Sequence, residues 1–204
     1  MKKYWFALFL FPIVFLFGCG KTGDTAPPNY FPLVNGYQWQ YHAKLLIGTV
    51  ESQSTNETRT VNGTSQLTGS LTVINLIVSH ESGSSDILYY SADETGIYQY
   101  GSAAHPTLEA TQILAFPLTP GKSWKQSSLL LQAIGEEKVT VPAGTFEAMK
   151  VMDTNGDIIA WYTDGVGLVK YSVEDITITT IEAGTGNMIN VSANYTSELV
   201  SKNF

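Results

Sequence analysis

One cysteine and three histidines are too few for several protein classes. A lone Cys forms no internal disulfide, and His42, His80 and His105 are far apart with no metal-ligand spacing, so a disulfide scaffold and a zinc module are both excluded. Charge is scarce as well, at 14% of the chain, and positive charge is the scarcer sign. Eleven Lys and Arg face eighteen Asp and Glu, and the net charge of −7 becomes −9 once Lys2 and Lys3 are set aside. Nucleic acid is excluded as a partner, because neutralising phosphates requires a basic face. Apolar residues are plentiful at 44%, with 18 Gly and 8 Pro, which is the balance of a globular chain rather than a disordered one.

Met1-Lys2-Lys3 is a short basic start, and Tyr4 to Phe17 carries no charge and is interrupted only by Pro12. These are the proportions of a signal peptide, and the run is shorter than the roughly 20 apolar residues of a membrane-spanning helix. It ends at Leu16-Phe17-Gly18-Cys19, so the only cysteine sits where a cleavage site belongs. Here the sequence resembles bacterial lipoproteins, with Leu16 and Gly18 at their lipobox positions. The resemblance implies a mature chain that starts at Cys19, carries a diacylglyceryl thioether and an amide-linked acyl chain, and is anchored to a membrane by them. Gly20 in place of an Asp retention signal implies the outer membrane, facing the periplasm, in a double-membraned host. Residues 1–18 are thus read as a signal peptide and 19–29 as the lipidated N-terminus and a Pro-containing tether, with ten residues reaching at most about 35 Å. Residues 30–204 are read as one domain.

That domain has no convincing 3.6-residue apolar period, whereas β-branched and aromatic runs bounded by Gly, Asn, Asp and Pro recur throughout. It is predicted to be all-β. The expected strands are Gln38 to Thr49, Glu57 to Val61, Ser65 to Ser79, Ile87 to Ser91, Gly96 to Tyr100, Ser128 to Val141, Thr145 to Met152, Ile158 to Thr163, Gly167 to Tyr171, Ile176 to Ala183 and Met188 to Leu199. Asn62-Gly63 and Asn155-Gly156 are expected as two-residue hairpin turns with φ > 0 at both residues, and Thr185-Gly186-Asn187 as the last turn. Ala104 to Leu114 is the one segment that could hold a short helix.

The chain also repeats itself. Phe31-Pro32-Leu33-x-x-Gly36-x-x-Trp39 returns as Phe116-Pro117-Leu118-x-x-Gly121-x-x-Trp124. Asp86-Ile87, Tyr90, Asp93, Gly96, Ile97 and Tyr100 return as Asp157-Ile158, Trp161, Asp164, Gly167, Leu168 and Tyr171. Two pseudo-repeats, about 31–100 and 116–199, are predicted, the first longer by about one hairpin. Aromatic burial and turn chemistry account for every shared residue, so the repeat specifies fold rather than chemistry. Paired edge to edge, the units form a single large antiparallel sheet that must curl into a half-open barrel, with Trp39, Trp124, Phe116 and Phe146 expected inside.

Val139-Thr140-Val141-Pro142-Ala143-Gly144-Thr145-Phe146, followed by Trp161-Tyr162-Thr163-Asp164-Gly165-Val166-Gly167-Leu168-Val169-Lys170, resembles a family of uncharacterised bacterial lipoproteins with a VPAGTF hairpin and a GVGLVK strand. Related periplasmic domains resemble the half-open barrel of the lipoprotein-localisation carriers LolA and LolB, which hold acyl chains in an apolar concavity. No binding residue of those carriers matches a position of this sequence.

The sequence holds no recognisable catalytic constellation. No Gly-x-Ser-x-Gly elbow is present, and adjacent Glu136 and Glu137 point to opposite faces of a strand. Asp153 to Asp164 superficially resembles a calcium loop but has Ile158 where the turn Gly belongs. The Asn-x-Ser/Thr sequons at Asn56, Asn62, Asn190 and Asn194 read as strand composition behind a bacterial leader. The sequence therefore predicts no catalytic residue, no cofactor and no metal. It leaves three readings in order: a module binding a lipid or other apolar ligand, a structural or envelope-protein docking lipoprotein, and last an enzyme. Apolar residues on both faces of Leu71 to Val78 favour a lined inner face.

Overall fold

The computed structural model describes residues 28–181 and 187–204; Cys19, most of the tether, and Thr185 and Gly186 of the last expected turn lie outside the described residues. Within them the elements are β1 (Gln38–Ile47), β2 (Val50–Gln66), β3 (Thr72–His80), β4 (Ser85–Asp93), β5 (Gly96–Ser102), β6 (Pro106–Ala115), β7 (Ser123–Gln126), β8 (Leu129–Val141), β9 (Gly144–Asp153), β10 (Ile158–Thr163), β11 (Gly167–Ile181) and β12 (Met188–Lys202). They form one antiparallel sheet in the order β6-β5-β4-β3-β2-β1-β12-β11-β10-β9-β8-β7. No helix among the described residues is long and apolar enough to cross a membrane.

Alternation gives the sheet one buried face. In β1, Trp39, Tyr41 and Ala43 are buried while Gln40 is exposed; in β8, Leu131, Ala133, Val139 and Val141 are buried while Gln132, Lys138 and Thr140 are exposed. Twelve strands with one apolar face bury it by curling into a barrel. β6 and β7 lie side by side without pairing, so the barrel is nearly closed and has one unsealed seam.

The repeat is realised strand for strand, six strands per half. Gly36 and Gly121 take φ of 88° and 87°, a left-handed conformation that only glycine adopts cheaply. Gly36 N donates to Val61 O at 2.9 Å and Gly121 N to Ala133 O at 2.8 Å, which matches β2 with β8. The two Phe-Pro-Leu corners are exchanged between halves. The first docks on the β10–β11 turn, where Asn29 N donates to Asp164 Oδ1 at 2.6 Å and Trp39 Nε1 to Val166 O at 2.6 Å. The second docks on the β4–β5 turn, where Phe116 N donates to Thr95 O at 2.8 Å.

The exchange is not symmetric in its hydrogen bonds. Thr95 O, the counterpart of Val166 O, already accepts from Phe116 N and from Gln112 Nε2, and the buried Trp124 Nε1 has no partner. Trp39→Phe, which strands the Val166 carbonyl, is therefore expected to cost about 1–2 kcal/mol more than Trp124→Phe, which removes an orphan donor. Urea unfolding of the two variants checks this, and equal losses would contradict it.

Several expectations need correction. Ala104 to Leu114 is not helical: Pro106–Ala115 is β6, because pairing with β5 overrides weak local preference. Asn62-Gly63 is not a hairpin turn but a bulge inside β2, where the register shifts between Val61 and Thr64; β8 has its matching bulge at Gly135. The turn lies instead between β2 and β3, which splits the expected Ser65 to Ser79 strand. Asn155-Gly156 is a turn with positive φ at Gly156 alone. β7, absent from the expected strands, is four residues long with only Trp124 buried, too short to show alternation. Gly167 to Tyr171 and the expected strand beginning at Ile176, as far as Ile181, are one strand, β11, bulged where Asp175 takes φ 54°; residues 182 and 183 lie outside the described residues. The first repeat gains its length from longer β1 and β2, not from an extra hairpin. Trp39 and Trp124 are interior, whereas Phe116 and Phe146 are half-buried against the edge of the core.

Candidate functional site

β2 carries Glu57, Arg59 and Val61 on its inner face, with Glu57 opposite Tyr41 and Arg59 opposite Trp39 in the register with β1. Arg59 is the only arginine in the chain, and the fold draws it into the barrel. Its Nε donates to Glu57 Oε1, and its guanidinium carbon lies 4.8 Å from the centroid of the Tyr41 ring. The other Glu57 oxygen is 3.9 Å from His80 Nδ1. Burial acts to lower the Arg59 pKa, but Tyr41 and Glu57 beside it outweigh that and raise it, so the guanidinium is charged. Among the described residues no protein acceptor meets its terminal Nη groups, and no partner meets the Tyr90 or Tyr162 hydroxyl.

These tyrosines are neutral donors. Burial pushes Tyr41 up to about 12, with Arg59 opposing and Glu57 adding, and its hydroxyl donates to Leu168 O at 2.8 Å. Burial also raises Tyr162 and Tyr90.

Beside this cluster is a cavity of about 190 Å³. Leu131, Val151, Ile158, Ala160 and Leu168 form its apolar wall, and Arg59, Tyr162 and Tyr171 supply the polar groups. Ile113 of β6 and Gln126 of β7 border it at the seam and also border a groove of about 470 Å³ that runs over β5 to β8. The opposite side, under Phe31 and Pro32, is filled to within about 10 Å³.

The duplication explains the two-sided lining. Val61 and Ala133 are equivalent through their matched bonds, so Arg59 corresponds to Leu131 two residues earlier on each strand. One unit supplies a charge where the other supplies an apolar side chain. The internal polar cluster leaves a single mark in the sequence, the sole arginine alternating with Glu57 and Val61 on one strand face.

Cys19, the expected lipidation site, lies outside the described residues. The three histidines stay apart: His42 Nδ1 meets Asn56 Oδ1 at 2.8 Å, His80 faces Glu57, and His105 is exposed in the β5–β6 turn. Asp153 and Asp164 lie beyond opposite ends of β10, Asp153 accepting from Asn155 N and Ile158 N and Asp164 from Asn29 N. Among the described residues no three His, Cys, Asp or Glu gather as a metal site. Glu137 accepts the Trp161 indole N–H at 2.6 Å, a packing role on a strand face.

No protein-family model matches the chain. No curated protein matches it either. Among solved structures it is similar to a Bacteroides fragilis protein described as exported, with a YmcC-like fold, at 13% identity and TM-score 0.45 over 87% of this chain and 100% of the other. A Parabacteroides distasonis protein described as a lipoprotein is similar at 13% identity and TM-score 0.45, over 88% and 100%. A LolA superfamily protein of Nitrosomonas europaea aligns at 9% identity and TM-score 0.26, over 85% and 87%. At these scores the fold is argued from the chain's own strands.

Proposed function

We propose that this chain is a non-catalytic envelope lipoprotein, anchored through acyl chains on Cys19, whose barrel interior binds a lipid or other apolar ligand that enters at the β6–β7 seam. The observation that carries the reading is the coincidence of the apolar-walled cavity with the one unpaired seam of the sheet. The cavity and the seam groove together reach the size of small-molecule sites, roughly 300–1,000 Å³. A leader ending in Leu16-Phe17-Gly18-Cys19 supports the anchor.

The test is mass spectrometry of solvent-extractable lipid from protein purified out of its own envelope, since extraction leaves covalent chains on Cys19. Ala160→Phe puts a ring into the cavity beside Val151. Near-stoichiometric lipid is expected from the unaltered protein, with at least about a tenfold loss in the folded variant, given that about 0.8 kcal/mol is lost for each CH₂ displaced. An empty unaltered protein would refute the reading.

Docking of an envelope protein is the second reading. Its specific support is the exposed apolar tip of two neighbouring hairpins, with Val50 67%, Ile181 67% and Met188 77% exposed.

A further inference from the structure

The lipid reading leaves the head of the ligand undefined, and the polar end of the cavity bears on it. Arg59 presents a charged planar fork, the donor best matched to a carboxylate or phosphate edge. Its Nε edge is spent on Glu57, while its Nη groups meet no protein acceptor, although 28% of the side chain is accessible where it borders the cavity. Tyr162 is only 8% exposed, lines the same space, and has no hydrogen-bond partner among the described residues. These donors face the cavity without a protein acceptor, so an oxygen-bearing head placed there would find them free to bind it. Glu57 already neutralises Arg59, so repulsion from its carboxylate makes a doubly charged head costlier here than a singly charged one. The wall leading to the seam is apolar.

Resting on the proposed function, we propose that the ligand is a single-chain amphiphile with a singly charged anionic oxygen head of the carboxylate class, its head on Arg59 and Tyr162 and its chain running over Leu131 and Ala160 to the seam. The duplication supports the polarity: the same strand position holds the charge in one unit and Leu131 in the other.

The test measures equilibrium binding of dodecanoate, dodecan-1-ol and acetate to the full mature chain in nanodiscs of zwitterionic lipid, with empty discs as reference. Dodecanoate is expected to bind at least about tenfold more tightly than dodecanol, the gain of a charge-assisted pair. It is expected to bind at least about a hundredfold more tightly than acetate, the gain of a buried chain. In Arg59→Met combined with Glu57→Gln, which leaves no stranded carboxylate, the preference for dodecanoate over dodecanol should vanish. Should that variant not fold, Tyr162→Phe removes one donor and should cut the preference by about threefold or more. Equal binding of dodecanoate and dodecanol by the unaltered protein would overturn the head assignment and leave the lipid reading intact. Acetate as tight as dodecanoate would mean a small-anion site and overturn the amphiphile. Binding of none of the three would overturn both proposals.

Discussion

Raising the pH from about 9 to about 12 is expected to unfold the protein through its buried tyrosines. Burial, opposed by Arg59 and reinforced by Glu57, lifts the Tyr41 pKa from 10.0 to about 12; burial also raises Tyr162 and Tyr90. Below the unfolded pKa the hydroxyls are protonated in both states, and the stability they contribute is fully present. Above it the unfolded chain loses protons that the folded chain keeps, so stability falls by about 1.4 kcal/mol per pH unit for each such tyrosine. Tyr41 and Tyr162 together lose about 5 kcal/mol by about pH 12, a large share of the 5–15 kcal/mol typical of a domain. Urea midpoints measured across this range should fall in step with tyrosinate absorbance. Midpoints that hold steady to about pH 12 would contradict the burial of these hydroxyls.

Gly96→Ala is expected to be among the most damaging single methyl additions. A Cβ at that position would lie 2.1 Å from the backbone oxygen of Leu114 and 2.8 Å from the Gln112 amide. A backbone atom in a paired strand cannot swing aside, so β5 and β6 must part at the point where Gly96 faces Ala115. About 3 kcal/mol or more is expected, the upper range for overpacking. Its counterpart Gly167 is the control: φ is 96° there, but the nearest atom to an added Cβ is Pro32 Cδ at 3.4 Å, so Gly167→Ala should cost about 1–2 kcal/mol for the backbone conformation alone. Denaturant unfolding of both variants decides the matter; equal losses would mean that the Leu114 carbonyl moves away freely.

That pair of glycines also shows what the sequence made legible and what it hid. The all-β class followed from alternation, and the two-unit plan from Phe-Pro-Leu-x-x-Gly-x-x-Trp, because turn and core constraints act on neighbouring residues and leave a local mark. The Asn62-Gly63 dipeptide misled because a bulge and a hairpin turn both want positive φ at glycine, and only the partner strand distinguishes them. β6 was hidden because its identity comes from pairing with β5. The site was hidden more deeply. Arg59, Tyr90, Tyr162 and Ile113 come from four strands, and nothing in their spacing announces that the barrel brings them to one cavity wall or close behind it.

The pairing of β1 with β12 has a consequence for how the chain folds. Every other ladder joins strands that follow one another in sequence, whereas this one joins ends such as Gln38 and Asn203, which are 165 residues apart. Its loop-closure entropy is the largest in the molecule, and it can form only when the last strand is available. During synthesis or passage through a pore from the N-terminus, the first six strands can assemble as a local meander while β1 waits as a bare edge. A bare edge templates pairing with other chains, and Lys44 on β1 supplies one charge against it until β12 arrives.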